Sequence, residues 1–473
     1  MKPSAITISK TVPRLKLLEG IRTLKQFALD PLGSLSALAE RGEPLQRFRG
    51  IDLSILMLHD PELIGEVLMN REDHFIKDRF TADLQILLGL GLLTSEGELW
   101  KHQRRLIAPS LSAKHIAEYG ACMVRRTEEF VQEFVQDFSR GRPNRDVDMH
   151  TALMQLTLDI VVETLFGAEL DERDGRVGEM IEHIMEDYVL LVRTWRRMLP
   201  RWIPQPVLGR IRRISASIDE MIARIVATKR AGTLDGGDLL TRLLVAQAGE
   251  TTGGTTTHPL APDQHRQLRD ELVTLFTAGH ETTALTLAFA LYLIADRPEV
   301  QERLREEIAR TAGGRPLAAT DTMQGGLPYT TAVIRESMRL YPPAWIIGRQ
   351  TVRDCQVSGY ALKRGEQILI APYSLHRDPR YFPEPDEFRP ERWENGLHES
   401  LPRYVYLPFG GGPRICVGNH FAMMEAVLVL GTIVRSARFA RPANAPALKF
   451  FPAITLRPAV PLALTVTPDV AGN

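Results

Sequence analysis

The sequence predicts a mainly α-helical protein with a small β region. Apolar residues recur every three to four positions over long stretches, most clearly at 113–138 and 263–296, as in helices that bury one or more faces. Strand-like runs are short, and most of them follow residue 346. Of the 473 residues, 44% are hydrophobic, which is enough for a large core.

Composition and charge limit the possible partners and compartments. Lys and Arg number 58, as do Asp and Glu, so the net charge is zero and a nucleic-acid partner is disfavoured. Cys122, Cys355 and Cys416 lie far apart without a C-x-x-C motif, which favours a reducing compartment over a disulfide framework. Residues 1–30 contain no apolar run of transmembrane length and no signal-peptide core. We expect a cytoplasmic protein with no transmembrane segment.

The first half of the chain alternates short and long elements. A strand is predicted at 51–58, a helix at 62–69 after an Asp-Pro pair, and a loop or broken helix at 80–93, where two glycines interrupt an apolar run. Amphipathic helices are predicted from Gly97 and at three further places, residues 113–138, 153–165 and 176–198.

Two kinds of connection follow. Residues 198–208 are apolar and contain three prolines, which favours a lid tip or membrane-touching loop or, equally, an ordinary connector between helices. The Gly- and Thr-containing stretches at 232–237 and 249–262 read as loops without visible chemistry.

The longest helical pattern, residues 263–296, would span roughly 50 Å. It is apolar around most of its circumference, which predicts a helix through the interior of the protein. The segment Ala278-Gly-His-Glu-Thr-Thr283 within it is locally unfavourable, because it places a glycine, a charge and two threonines in a buried helix. Such a conflict indicates either a functional site or a kink.

Later segments predict a small sheet and a charged helix face. Strands are expected at 346–352, 355–360 and 367–371, which would form the sheet, and terminal strands at 451–458 and 462–467. In a helix near residues 329–340, Glu336 and Arg339 share one face, as in many surface ion pairs.

The stretch Phe409-Gly-Gly-Gly-Pro-Arg-Ile-Cys-Val-Gly418 cannot form a regular helix or a central strand. It predicts a tight loop that passes close to something flat and bulky. A helix is predicted at 419–436, so Cys416 lies near a helix N-terminus, where a thiolate is favoured. Taken alone, Cys416 is a metal ligand, a nucleophile or a buried residue that packs as a small hydrophobe.

Three motifs in order give a resemblance to cytochrome P450 haem-thiolate enzymes. The pattern F-x-x-G-x-R-x-C-x-G at 409–418 resembles their haem-ligand loop. The hexamer at 278–283 is similar to their central-helix pattern, and E-x-x-R at 336–339 with the segment 388–393 is similar to their paired structural motif. The resemblance implies a cytochrome P450 fold, a single large haem domain with a long central helix, at 31–473. Length alone would suggest two or three domains.

The resemblance also implies roles for individual residues. Cys416 would ligate the iron of haem b, Glu281 and Thr282 would deliver protons, and Thr282 would open the helix by bonding the Ala278 carbonyl. The remaining residues expected to contact haem are Trp100, Arg104, Arg349, Arg414, Phe409, Gly410, Gly418, Ala278 and Gly279. Those expected to form a buried structural network are Glu336, Arg339 and Arg392.

By analogy with family topology, the substrate would be a large hydrophobic molecule such as a terpenoid, carotenoid or fatty-acid-like compound, because the expected lining is almost all aliphatic. Some of these residues could instead belong only to the core. The lining residues are Leu84, Leu87, Leu275, Ala278, Ala344, Trp345, Ile346, Ala453 and Ile454.

The implied activity is insertion of one oxygen atom from dioxygen into the substrate, at an unactivated C–H bond. The chain contains no reductase module, so electrons would come from a separate ferredoxin or flavodoxin-type protein. Lys101, Arg105 and Lys114 could form part of a basic face on which that protein docks. We expect the enzyme to be a monomer. A haem-thiolate peroxygenase or isomerase and a non-enzymatic haem sensor are the alternatives, although neither accounts for a Glu281–Thr282 pair.

Overall fold

The computed structural model describes residues 17–49, 54–70, 73–139, 145–168, 206–231, 238–251 and 262–469. The predicted helix at 176–198, the loop at 232–237 and most of the loops at 198–208 and 249–262 lie outside these ranges. The chain divides into two compact units. Unit 1 comprises Met1–Gln85, Ala344–Glu387 and Gly396–Cys416, and unit 2 comprises Ile86–Pro343, Phe388–Asn395 and Val417–Asn473.

Helices dominate the described residues, which confirms the predicted fold class. Two are named here: the central helix, Pro262–Ile294, and the cysteine helix, Asn419–Ser436. The other α-helices are Leu17–Leu29, Pro31–Ala39, Pro61–Met69, Arg79–Asp83, Gln85–Leu88, Gly97–Ile107, Ala113–Ser139, Met149–Phe166, Pro206–Ala231, Leu239–Thr251, Pro298–Ala312, Ala319–Met323, Pro328–Leu340, Pro372–Leu375 and Leu397–Ser400.

The strands form one larger sheet and three small ones. The five-stranded sheet has the order β1-β2-β8-β5-β3, a three-stranded sheet has the order β4-β12-β9, and β6-β7 and β10-β11 are two-stranded. The strands are β1 Leu45–Arg49, β2 Ser54–Leu58, β3 Phe75–Lys77, β4 Arg145–Asp148, β5 Ile347–Thr351, β6 Cys355–Val357, β7 Tyr360–Leu362, β8 Gln367–Ile370, β9 Ala437–Ala440, β10 Phe450–Pro452, β11 Leu456–Pro458 and β12 Ala463–Pro468.

Unit 1 is built on the five-stranded sheet. β2 pairs antiparallel with β1 and parallel with β8, so residues over three hundred positions apart lie side by side. The helix Pro61–Met69 packs Ile64 and Val67 into the same core as Leu56 and Ile368. Asp60 caps that helix by accepting hydrogen bonds from the next backbone N–H groups, as the Asp-Pro pair predicted.

Unit 2 is organised around the central helix. The Thr157 hydroxyl donates to the His280 carbonyl at 3.0 Å, and the Ser337 hydroxyl donates to the Thr286 carbonyl at 3.1 Å, each from a neighbouring helix. These bonds attach the middle of the central helix to two partners at positions where its sequence is polar. In the part of the chain that the structure describes, none of the helices combines the length and the apolar composition of a membrane span.

Three strand predictions need correction. The strand predicted at 355–360 is the β6–β7 hairpin, which turns where Ser358 and Gly359 adopt φ of 45° and 86°. The strand predicted at 451–458 is likewise a hairpin, β10–β11, with residues 453–455 in its turn. The prediction that residues 346–371 form one sheet by themselves is wrong. β5 and β8 pair with each other, but they also pair with β3 and β2, whereas β6 and β7 form a separate hairpin. Alternation cannot reveal which strands pair, since pairing joins segments distant in sequence.

Candidate active site

The loop around Cys416 contains two kinds of glycine. A Cβ atom at Gly412 would lie 2.2 Å from the Leu68 carbonyl oxygen, and one at Gly411 would lie 3.0 Å from the Tyr404 ring. Gly410 and Gly418 are different: a Cβ at Gly410 would meet nothing nearer than 3.8 Å, and one at Gly418 would meet nothing within 4 Å among the described residues. Gly411 and Gly412 therefore allow the loop to pack closely against its neighbours, whereas Gly410 and Gly418 leave open space beside the backbone.

Hydrogen bonds hold this loop in place. The Cys416 backbone N–H donates to the Phe409 carbonyl at 3.0 Å, which closes the loop on itself. The Leu407 N–H donates to Nε2 of the fully buried His376 at 2.7 Å, and this anchors the segment entering the loop. Cys416 is exposed even though cysteine is usually buried. A rigid loop thus presents a thiol on its accessible side.

These features fit a haem. The soft sulfur donor is accessible, and the glycines flanking it carry no side chain that would obstruct a flat macrocycle. Arg414, in the same loop, and Arg349, in β5, supply positive charge within unit 1; Arg349 is buried and donates to the Gly348 carbonyl at 2.8 Å. In unit 2, Trp100 and Arg104 are both half-buried on the helix Gly97–Ile107 and share one face.

Between Asp270 and Leu291, the central helix has one accessible strip. From Asp270 to Leu291 every position is buried except Ala278, which is exposed, and Gly279 and Thr282, which are half-buried. Ala278 and Thr282 are four residues apart and so lie on one face. The strip coincides with the hexamer that the sequence singled out. We name Ala278, Gly279 and Thr282 the accessible strip.

The threonines of this segment bond to the helix itself. The Thr282 hydroxyl donates to the Ala278 carbonyl at 2.9 Å, the bond predicted for it, and Thr283 donates to the Gly279 carbonyl at 3.2 Å. The helix runs from Pro262 to Ile294 through this segment, and the opening of the helix at the Ala278 carbonyl stays a prediction. A carbonyl oxygen has two lone pairs and can accept from a hydroxyl while it keeps its backbone partner.

Glu281 does not face solvent. Its carboxylate accepts a hydrogen bond from Arg457 Nε at 2.7 Å and another from the Thr455 hydroxyl, and all three side chains are buried. Burial alone would raise the pKa of Glu281, but the Arg457 guanidinium and these hydrogen bonds outweigh it, and the net pKa lies below the usual range. Glu281 is therefore an ionised carboxylate attached to the β10–β11 hairpin at neutral pH.

A second buried ion cluster lies elsewhere in unit 2. Glu336 accepts from Arg339 Nε and from Arg392 Nε, each at 2.9 Å, and from the Trp393 indole at 2.8 Å. Arg339 Nη2 and the Arg389 backbone N–H also donate to it, each at 2.9 Å. Because five donors from four residues converge on one buried carboxylate, the cluster joins the helix Pro328–Leu340 to the segment 388–393.

The residues predicted to contact substrate are mostly apolar and covered. In unit 2, Leu87 and Leu275 are buried, while Ala453 and Ile454 are half-buried in the turn of the β10–β11 hairpin. In unit 1, Leu84 and Trp345 are buried, and Ala344 and Ile346 are half-buried. No charged group appears in this set.

Sequence reasoning missed Thr455 and Arg457, the partners of Glu281. A single arginine inside the apolar run 451–458 was the available signal, because a cation there needs a buried anion. It also missed Glu425, the only acid of the cysteine helix, which stands in an apolar stretch. In both cases the residue broke the local pattern.

Comparisons with known proteins agree with this geometry. The family model described as Cytochrome P450 matches residues 16–466. Cyclooctat-9-en-7-ol 5-monooxygenase of Streptomyces melanosporofaciens is 32% identical over 85% of this chain and 84% of its own, and cyclooctatin synthase of the same organism is 32% identical over 93% and 91%. The protein LUTEIN DEFICIENT 5, chloroplastic, of Arabidopsis thaliana is 28% identical over 88% of this chain and 70% of its own. The chain belongs to the cytochrome P450 family and is a P450 monooxygenase.

Proposed function

We propose that this monooxygenase binds haem b through the Cys416 thiolate and oxidises a large hydrophobic substrate. One atom of dioxygen enters the substrate and the other leaves as water, which requires two electrons and two protons. The observation that carries the proposal is the exposed Cys416 in a hydrogen-bonded loop flanked by the open glycines Gly410 and Gly418. A structural cysteine would pack into the core instead.

Thiolate-ligated haem supplies dioxygen activation, and the chain supplies the surroundings. Arg349, Arg414, Trp100 and Arg104 would hold the propionates, since charge-assisted hydrogen bonds to carboxylates are strong. Phe409 would shield the Cys416 sulfur. The small side chains of Ala278 and Gly279 leave room beside the central helix.

Proton handling is assigned to Thr282 and Glu281. The Thr282 hydroxyl lies on the accessible strip and can exchange its bond to the Ala278 carbonyl for one to a bound water or substrate oxygen. Glu281, one residue earlier, is held by Arg457 and Thr455. It can therefore receive a proton only if the Arg457 bond is loosened.

The substrate class follows from the residues proposed to contact it. Leu87, Leu275, Ala453 and Ile454 are aliphatic, and a charged substrate would find no buried partner among them. One relative is named for an alkenol, cyclooctat-9-en-7-ol, which has the same hydrophobic character. We infer a terpenoid, carotenoid or fatty-acid-like substrate, hydroxylated at an unactivated C–H bond.

Electrons are assigned to a separate ferredoxin or flavodoxin-type donor. Lys101, Arg105 and Lys114 are exposed and would form part of its docking face. Lys101 also pairs with Glu98 at 2.7 Å, so its charge is partly compensated and Arg105 is the stronger candidate. Docking through exposed charges would weaken as ionic strength rises.

The first experiment tests the ligand. The carbon-monoxide difference spectrum of reduced wild-type protein should show the strongly red-shifted Soret band of thiolate ligation, and Cys416→Ser should abolish it because a hydroxyl is a poor soft ligand. Cys355→Ser, at a half-buried position in β6, is the matched control and should keep the band. A red-shifted band that survives Cys416→Ser would overturn the proposal.

The second experiment tests the substrate class and the redox partner. A panel of terpenoids, carotenoids, fatty acids and charged polar compounds is screened for the haem spin-state shift, and hits are turned over with a surrogate ferredoxin system. NADPH-dependent product from the hydrophobic compounds supports the proposal. Shifts from charged polar compounds alone would contradict the substrate class, and product formed with peroxide but never with NADPH would contradict the electron donor.

A further inference from the structure

Glu425 is a fully buried carboxyl that the proposed function does not use. It lies on the cysteine helix nine residues after Cys416, and its relative exposure is 0%. Neither of its oxygens forms a hydrogen bond with any of the described residues. The Thr283 hydroxyl of the central helix partly offsets the effect of burial on the pKa of Glu425, but it forms no hydrogen bond with either carboxyl oxygen. A buried acid with neither a cation nor a donor needs a physical explanation.

The two buried glutamates near the threonine pair have opposite environments. Glu281 has the Arg457 guanidinium at 2.7 Å and is ionised. For Glu425, burial raises the pKa to about 8, the Thr283 hydroxyl offsets this only partly, and no charged side chain of the described residues contributes. Two carboxyls whose environments separate their pKa values in this way usually divide acid and base roles between them.

We propose that Glu425 is protonated at neutral pH and serves as a proton store for the Thr282–Thr283 pair. This inference rests on the proposed function, because a proton store is useful only where dioxygen is reduced. The geometry is that of two packed helices. Thr283 donates to the Gly279 carbonyl at 3.2 Å, so its oxygen lone pairs remain able to accept the Glu425 proton.

The transfer balances as a proton relay. The Oε–H bond of Glu425 breaks and a new O–H bond forms at Thr283 Oγ1. The original O–H bond of Thr283, whose proton was donated to the Gly279 carbonyl, breaks, and that proton forms a new O–H bond with an oxygen acceptor at the accessible strip. Glu425 is left as a buried carboxylate, an unfavourable state that draws a proton back from solvent before the next turnover. Glu425 acts through Thr283 and is a positioning and proton-holding residue.

The first test observes the proton itself. Infrared difference spectra of the haem-loaded protein between pH 6 and pH 10 should contain the carbonyl stretch of a protonated carboxyl that disappears with a midpoint near pH 8. Glu425→Gln should remove that signal. Glu271→Gln is the matched control: Glu271 is buried in the central helix, its pKa is raised to about 7, and it accepts from the Leu92 N–H at 3.1 Å. Glu271→Gln should remove the carbonyl band of Glu271 and leave the band of Glu425 unchanged. A neutral-pH spectrum unchanged by Glu425→Gln would overturn the proposal.

The second test measures coupling. Glu425→Gln should keep the thiolate spectrum and the substrate spin shift, while product per NADPH falls about tenfold, less than for a direct general acid because Glu425 acts through Thr283. Thr283→Val should give the same loss, and Thr283→Ser should restore coupling, so the proposal is testable even if Glu425→Gln folds poorly. Wild-type coupling in Thr283→Val would overturn it. A wild-type protein without a thiolate band would instead refute the proposed function.

Discussion

The Glu281–Arg457 pair gives a quantitative prediction about stability. Arg457→Met removes the guanidinium and keeps much of the side-chain volume. Glu281 then stays buried, and of its two hydrogen-bond donors only the Thr455 hydroxyl remains. Breaking a buried ion pair costs about 3–5 kcal/mol, because a charge is left without its partner. The double variant Glu281→Gln with Arg457→Met removes both charges, and its free energy of unfolding should lie within about 1–2 kcal/mol of that of wild type.

The sign of the pH dependence makes this prediction stricter. In wild type the pKa of folded Glu281 lies below its ordinary 4.5, so its contribution is present above pH 4.5 and is lost as pH falls through the folded pKa. In Arg457→Met, burial dominates and raises that pKa, so the contribution of Glu281 to stability should decrease as pH rises above 4.5.

Urea unfolding of the haem-loaded proteins measures both effects. With an m-value of roughly 3 kcal/mol/M, the expected loss moves the midpoint by about 1–1.7 M at pH 7. The double variant controls for lost packing, and Arg457→Lys tests whether any cation suffices, although it cannot reproduce the geometry of the guanidinium. An Arg457→Met midpoint equal to wild type, with an unchanged slope between pH 5 and pH 8, would refute the reasoning.

Three further predictions concern the site. Thr282→Ala should keep the thiolate spectrum and substrate binding but divert reducing equivalents to peroxide, with product per NADPH reduced about tenfold or more; wild-type coupling would leave Thr282 only a structural part. Arg104→Ala should lower haem retention, because an unpaired propionate is costly when it is partly buried. Arg105→Ala, at the exposed next position, is the control and should retain haem as wild type does. If the two variants lose haem to apomyoglobin equally in a transfer assay, Arg104 does not belong to the site. Gly412 has a φ of 68°, and Gly412→Ala places a Cβ 2.2 Å from the Leu68 carbonyl oxygen, so this variant should destabilise the haem-free protein by roughly 1–3 kcal/mol. Gly418→Ala, at a φ of −94°, is the control and should not destabilise it. Equal urea midpoints for the two variants would show that the loop can shift.

The sequence alone determined the features that depend on neighbouring residues. The cysteine helix begins and ends where its apolar pattern predicts, at Asn419 and Ser436, and the central helix differs from its prediction by one residue at the start and two at the end. The bond from Thr282 to the Ala278 carbonyl also follows from i,i+4 spacing. The motif at 409–418 identified the family before any fold was known, because its residue types are contiguous.

Only the tertiary structure decided the features that join distant segments. β2 pairs parallel with β8, and Glu281 pairs with Arg457, which lies 176 positions later in the chain. Local periodicity predicts neither contact, because it depends only on neighbouring residues. The same holds for protonation. Glu281 and Glu425 have the same side chain and both are buried, yet a guanidinium reaches only the first, so their pKa values move in opposite directions. A pKa depends on the dielectric and the charges around a group, and packing alone sets both.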